Sequence, residues 1–239
     1  MINVVGIGPG DLEMMTFKAK SALEESDVIV GYKTYTNLIM PIIKDKEIVS
    51  NGMKQEIQRC EEAIRIAKTG KIVSVVSSGD AGVYGMAGLI LELLNGDDMK
   101  VNIIPGVTAS TAASAILGAP LMHDYCHISL SDLLTPMELI EKRIAMASEG
   151  DFVICLYNPR SKGREGHLEK AIEIIKKHRK IDTPLGIVKN AAREKEEKII
   201  TTIGEIDYTV VDMTSIVIIG NSSTYVENNN MITPRGYKV

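Results

Sequence analysis

The sequence predicts an α/β protein made of two α/β domains. Two observations lead there. Short β-branched runs alternate with segments of helical spacing along most of the chain. The alternation breaks once, at Gly118-Ala119-Pro120, and then resumes. Alternating strands and helices call for sheets covered by helices. The expected domains are residues 1–119 and 120–239.

In the first domain, residues 2–5 are a short strand that ends in glycines. Residues 12–25 read as a helix, with Asp11 or Thr16 near its start. Residues 28–30 are apolar and precede Gly31. Helical spacing over 55–69 rests on Ile57, Ala63, Ile64 and Ala67. A buried strand over 71–76, a helix over 83–94, a strand over 101–104 and a small-residue helix over 108–117 follow, giving a parallel sheet.

In the second domain, 121–131 is an apolar stretch and 136–148 a helix with Pro136 suited to its first turn. Strands are expected at 152–157, 185–189, 198–202 and 215–219, with a helix at 166–178. The charge run 194–198 reads as a solvated turn.

Composition removes several function classes. The 239 residues are 45% hydrophobic and 24% charged, enough to bury a sizeable core. A net charge of −4 and an aromatic content of 4% speak against a nucleic-acid partner, which needs a basic surface or stacking rings. No apolar run reaches the length of a membrane span, so no membrane partner is expected. Cys60, Cys126 and Cys155 are odd in number and widely spaced, which fits neither a disulfide framework nor a zinc site. The first residues read as a strand and not as a signal sequence, so the cytoplasm is the expected setting.

Ligands of open α/β sheets gather beyond the carboxyl ends of the strands. Five strand-end or terminal segments carry special chemistry. Gly6-Ile7-Gly8-Pro9-Gly10-Asp11 is either a tight turn or a ligand loop. Its G-x-G-x-G spacing and Pro9 depart from the dinucleotide fingerprint. In Ser77-Ser78-Gly79-Asp80-Ala81-Gly82-Val83-Tyr84-Gly85, Asp80 is either a helix cap or an acceptor for a ligand ammonium or hydroxyl, and the small neighbours favour a ligand floor. The run 105–113 (PGVTASTAA) permits close packing, against a ligand or simply another helix. Residues 156–164 bring Arg160, Lys162 and Arg164 to a strand end, as an anchor for carboxylates or as a solvated basic loop. Arg235 lies in a terminal segment that reads equally as a frayed tail.

His123 and His127 lack the spacing and acidic partner of a metal site, so no metal is expected. With Asp124, Ser129, Asp132 and Asp11 they are candidate acid/base groups, although each singly is more simply structural.

The strings GIGPGD at 6–11, SSGDAGVYG at 77–85 and PGVTAST at 105–111 resemble the tetrapyrrole methylase family, the class III S-adenosylmethionine-dependent methyltransferases. The likeness covers nearly the whole chain. Four further strings resemble the branch that methylates C17 of precorrin-3B or cobalt-factor III with ring contraction: ISLSDLLTP at 128–136, LYNPRSKGR at 156–164, IIGNSST at 218–224 and TPRGY at 233–237. The resemblance implies two α/β domains with a ligand cleft between them and a homodimer. It implies S-adenosylmethionine as donor, S-adenosylhomocysteine as product and a tetrapyrrole substrate. Implied donor contacts are Pro9, Gly79, Asp80, Val83, Thr108 and Ala109, then Tyr157, Asn158, Asn190, Ala191, Gly220 and Asn221. Implied substrate contacts are Gly8, Gly10, Arg160, Lys162, Arg164 and Arg235. Gly79-Asp80-Ala81 stands where many relatives have Gly-Asp-Pro. Competing readings are a methyltransferase for C11 or C20, a nucleotide-dependent oxidoreductase using the first glycine loop, and a small-ligand sensor.

Overall fold

A computed structural model describes all residues except 53, 54, 162, 164 and 239. The chain divides into two compact units, Met1–Ala109 and Ser110–Val239.

The first unit runs β1 (Ile2–Gly6), α1 (Phe17–Glu24), β2 (Val28–Tyr32), α2 (Lys33–Leu38), α3 (Met40–Ile43), β3 (Glu47–Asn51), α4 (Glu56–Ala67), β4 (Val73–Ser77), α5 (Ala87–Leu94) and β5 (Val101–Ile104). Its sheet has the order β3-β2-β4-β1-β5, and every pairing is parallel. The central strands INVVG and VSVVS are buried along their whole length. Strands covered on both faces have no solvent side and need no alternation. Ile2, Val4, Val73 and Val75 pack with Cys60, Ala63 and Ile66 of α4 and Ile90 of α5. Val5, Ile29 and Val76 meet Ala19 and Leu23 of α1 and Ile43 of α3 on the other face.

Two helices start later than the sequence predicts. Asp11 caps a 3-10 turn over Leu12–Met14, and Met15 is extended before Thr16 caps α1. A tight loop with Tyr84 at φ 55° precedes α5. The elements α2, α3 and β3 were not expected. Their stretch lacks strong periodicity, and they are held by packing instead: Thr36 and Ile43 are buried.

The second unit contains α6 (Ala109–Leu117, of which Ala109 belongs to the first unit), β6 (Gly118–Ala119), β7 (Tyr125–Ser129), α7 (Met137–Glu149), β8 (Val153–Tyr157), α8 (His167–Ile175), β9 (Pro184–Lys189), β10 (Glu197–Thr202), β11 (Ser215–Ile219), β12 (Tyr225–Glu227) and β13 (Asn230–Ile232). The division between units thus falls ten residues before the expected one (119 − 109 = 10) and gives α6 to the second unit. The packing explains why: a side chain at Gly186 of β9 would run into Leu117 of α6.

The main sheet here has the order β10-β9-β11-β8-β7. Only β7 and β8 pair in parallel; the other pairings are antiparallel. The connection from β9 to β10 holds no helix, and parallel neighbours need a crossover of a dozen residues or so. Residues of α7 and α8, among them Ile140, Ile144, Leu168 and Ile172, cover one face against Ile154, Leu156, Leu185 and Val217. A small sheet β12-β13-β6 lies beside them in sequence. Among the described residues no helix is long and apolar enough to cross a membrane.

Candidate active site

In the first unit β4, β1 and β5 are neighbours and run the same way, so their three C-terminal loops emerge along one edge. The loops are stitched together by backbone. Gly8 N–H donates to Gly79 O at 3.1 Å and Gly79 N–H donates to Gly8 O at 2.7 Å. Gly8 and Gly79 have φ of 80° and 71°, values that L residues adopt at a cost. A Cβ on Gly6 would lie 2.7 Å from Gly106 N and 2.8 Å from Gly79 O. The result is a floor of closely packed bare backbone.

Asp80 ties the same loops. Its Oδ1 accepts from Gly82 N–H at 2.7 Å and Val83 N–H at 3.2 Å, and its Oδ2 accepts from Gly106 N–H at 2.9 Å. A carboxylate has about four acceptor directions, so one remains for a ligand. Its main work is therefore to clamp two loops, and it does not cap α5, which starts only at Ala87. Thr16 Oγ1 adds a tie to Pro105 O at 3.4 Å. Pro9 is buried, and Val83, Thr108 and Ala109 are half-buried.

Dinucleotide sites place a helix N-terminus directly after the glycine turn, aimed at the pyrophosphate. Here α1 starts at Phe17, well past the end of β1 at Gly6, and Asp11 and Glu13 sit between. Acidic groups there would repel a phosphate.

In the second unit the registered partners Ser129 and Tyr157 end β7 and β8. Tyr125, His127 and Ser129 share one face of β7, because side chains alternate along a strand. His127 Nε2 lies 2.8 Å from Ser110 Oγ, its ring centroid is 5.2 Å from that of Tyr157, and Ser110 N–H donates to Tyr157 Oη at 3.0 Å. Asn158, at φ 52°, donates from Nδ2 to Ser129 Oγ at 3.0 Å. Two partners here escaped the sequence reading. Ser110 lies 17 residues from His127 and looked like helix packing. His167 received no role, yet its Nδ1 sits 3.0 Å from Leu130 O and its Nε2 3.8 Å from Asp132 Oδ2.

Burial holds the His127 imidazole below its ordinary value of 6.5. The unfolded chain takes up this proton at the ordinary value, the folded chain only at lower pH. Between the two, the unfolded state binds more protons, so stability is lost as pH falls through that window. The thermal midpoint is expected to drop from about pH 7.5 to about pH 5.5 more steeply in the wild type than in His127→Gln. Parallel profiles in calorimetry would refute this.

Other expected site residues are dispersed or already engaged. His123 and Asp124 are exposed ahead of β7, 3.5 Å apart. Asp11 is exposed and accepts from Glu13 N–H at 2.9 Å. Arg160 does not project as a free anchor: its Nη1 donates to Tyr208 O at 2.8 Å and pairs with Glu169 at 3.4 Å. A guanidinium facing a half-buried acid stays there, because leaving would strand the carboxylate. Lys162 and Arg164 lie outside the described residues. Gly10 is half-buried, and Arg235 is exposed. Asn190, at φ 49°, donates from Nδ2 to Lys195 O and so shapes the turn after β9, where Ala191 is buried. Asn221 Oδ1 accepts from Ser223 and Thr224 in the turn after β11. That turn folds back so closely that a Cβ on Gly220 would lie 2.6 Å from Thr224 Cβ. Among the described residues no cluster of three metal-ligating side chains occurs.

A family model described as Tetrapyrrole (Corrin/Porphyrin) Methylases matches residues 1–207. The chain belongs to this family. A relative from Salmonella typhimurium, named a probable cobalt-factor III C(17)-methyltransferase, is 57% identical over 239 residues, covering 99% of each chain. A precorrin-3B C(17)-methyltransferase of Sinorhizobium sp is 36% identical, covering 98% of this methylase and 96% of the relative. The crystal structure of the methyltransferase CobJ superposes with a TM-score of 0.93 at 34% identity, covering 98% of this chain and 99% of that one. This methylase thus shares its mixed α/β fold with that structure.

Proposed function

We propose that this methylase transfers the methyl group of S-adenosylmethionine to C17 of a corrin precursor, with the associated ring contraction. The observation that carries the reading is the full-length likeness to the Salmonella relative. Its greater identity, compared with the precorrin-3B relative, favours cobalt-factor III over precorrin-3B as substrate.

The first unit supports a donor that carries no phosphate. Its three loops offer bare backbone and one carboxylate direction, which suit a ribose hydroxyl or an ammonium and not a pyrophosphate. Pro9, Gly79, Asp80, Val83, Thr108 and Ala109 would hold the donor there, and Gly8 and Gly10 would face the substrate. In the second unit Tyr157, Asn158, Asn190, Ala191, Gly220 and Asn221 are proposed donor contacts on the family pattern, at turns whose backbone is fixed by their own side chains. The donor supplies an electrophilic methyl on sulfur, whose positive charge vanishes on transfer. A fixed cation beside that sulfur would oppose the donor's binding, so positioning and exclusion of water carry the acceleration. Ring contraction needs proton transfers. His127, neutral and hydrogen-bonded to Ser110, and Ser129, held by Asn158, are better ordered for them than exposed His123, Asp124 and Asp132 or the capping Asp11. A homodimer in the cytoplasm completes the proposal.

Titration calorimetry with S-adenosylhomocysteine and, separately, NADPH tests the donor class. We expect binding of S-adenosylhomocysteine at micromolar concentration and none of NADPH. The reverse would favour the oxidoreductase reading and overturn this one.

A further inference from the structure

With Arg160 engaged by Glu169 and Tyr208 O, a substrate rich in carboxylate arms needs another cation. We propose that the pocket at the ends of β2 and β3 binds a carboxylate arm of the tetrapyrrole, with Lys33 as its cation and the Asn51 amide as an oriented donor. The inference rests on the proposed substrate class.

The pocket has a volume of about 460 Å³ and is lined by Tyr32, Lys33, Thr34, Asn37, Ser50 and Asn51, with Gly52 at its rim. The polar groups that line it are hydroxyls, amides and one ammonium, and among the described residues no carboxylate faces it. Such a lining suits an anion. Tyr32 and Asn51 are registered partners, the last residues of two parallel strands. The pocket therefore opens along the same carboxyl edge as the glycine loops, because β2 also pairs with β4. Two strand spacings, roughly 10 Å, separate β2 from β1.

The orientation of Asn51 is set from behind. Arg59 is only 5% exposed, and its Nε donates to Asn51 Oδ1 at 2.8 Å while its Nη2 donates to Gly52 O at 2.9 Å. A guanidinium can only donate, so the carbonyl end of the amide must face it. The Asn51 Nδ2 group is then the end left to donate elsewhere. Lys33 is exposed, and among the described residues it forms no ion pair. The methyl donor also carries a carboxylate, so the two possible sources must be told apart.

The test is equilibrium binding without turnover. Cobalt-factor III is titrated by absorbance, and S-adenosylhomocysteine by calorimetry, against wild type, Lys33→Met, Lys33→Arg and Asn51→Leu. Lys33 is at the surface, so its variants should fold, as circular dichroism would verify. We expect Lys33→Met to weaken macrocycle binding about tenfold, the effect of losing one hydrogen bond to a charged group. Lys33→Arg restores most of it, Asn51→Leu weakens it by a smaller factor, and S-adenosylhomocysteine affinity stays the same. Unchanged macrocycle affinity in Lys33→Met overturns the proposal. So does a loss confined to S-adenosylhomocysteine, which would assign the carboxylate to the donor, and so does a wild type that binds no macrocycle. A wild type that binds cobalt-factor III through Lys33 but transfers no methyl group would leave the pocket standing and remove the proposed reaction.

Discussion

Gly106→Ala is expected to lower the stability of the first unit by about 3 kcal/mol and to abolish donor binding. A Cβ at this position would overlap Gly79 O and lie 2.6 Å from Gly6 O. Both neighbours are backbone, so no rotamer change relieves the overlap. The ends of β1 and β4 would have to part, breaking the Gly8–Gly79 bridge that forms the floor. For a chain of this size the loss corresponds to a thermal midpoint about 6–12 °C lower. Gly88→Ala is the control. Nothing lies within 4 Å of its Cβ, and alanine is the better helix former within α5. Gly88→Ala should match or exceed the wild type in stability and bind S-adenosylhomocysteine normally. Equal midpoints for wild type and Gly106→Ala would show that the loops are not packed as described.

Asp80→Asn is expected to cost about 2 kcal/mol, with a parallel loss of donor affinity. One amide end can keep the turn to Gly82 and Val83, but the other then presents N–H to the N–H of Gly106. Two opposed donors leave both unsatisfied, and the bonds that survive lose their charge assistance. Thermal denaturation and a titration with S-adenosylhomocysteine should therefore move together. Were affinity to fall while the midpoint stayed put, Asp80 would be acting on the ligand directly and the clamp would be unimportant.

The contrast between Asp80 and its surroundings shows what a sequence can carry. The glycine loops are legible because each is local: a β-branched run, then small residues, at a strand end. That Gly6, Gly79 and Gly106 pack on one another follows from strand order, which depends on pairings across 70 residues or more. Asp80 reads from sequence as a ligand acceptor or a cap, but not as a clamp between loops, because its partner Gly106 is 26 residues away. Arg160 looked like an anchor because a basic strand-end loop gives no sign of Glu169 or of the carbonyl of Tyr208. His167 carried no motif, and only the fold brings it to Leu130 O and Asp132. Likewise β3 and the short helices before it lack periodicity, since tertiary packing and not local preference stabilises them. Strands β9, β10 and β11 were legible, but their antiparallel pairing was not, since pairing direction is set by the whole sheet and not by any local run.

The position of the transferred carbon tests the central claim most directly. Wild-type protein, cobalt-factor III and S-adenosylmethionine labelled with ¹³C in its methyl group would be incubated, and the product assigned by mass and NMR. The account predicts one labelled methyl, on C17 of a contracted ring. A label on C11 or C20, or none at all, would contradict it.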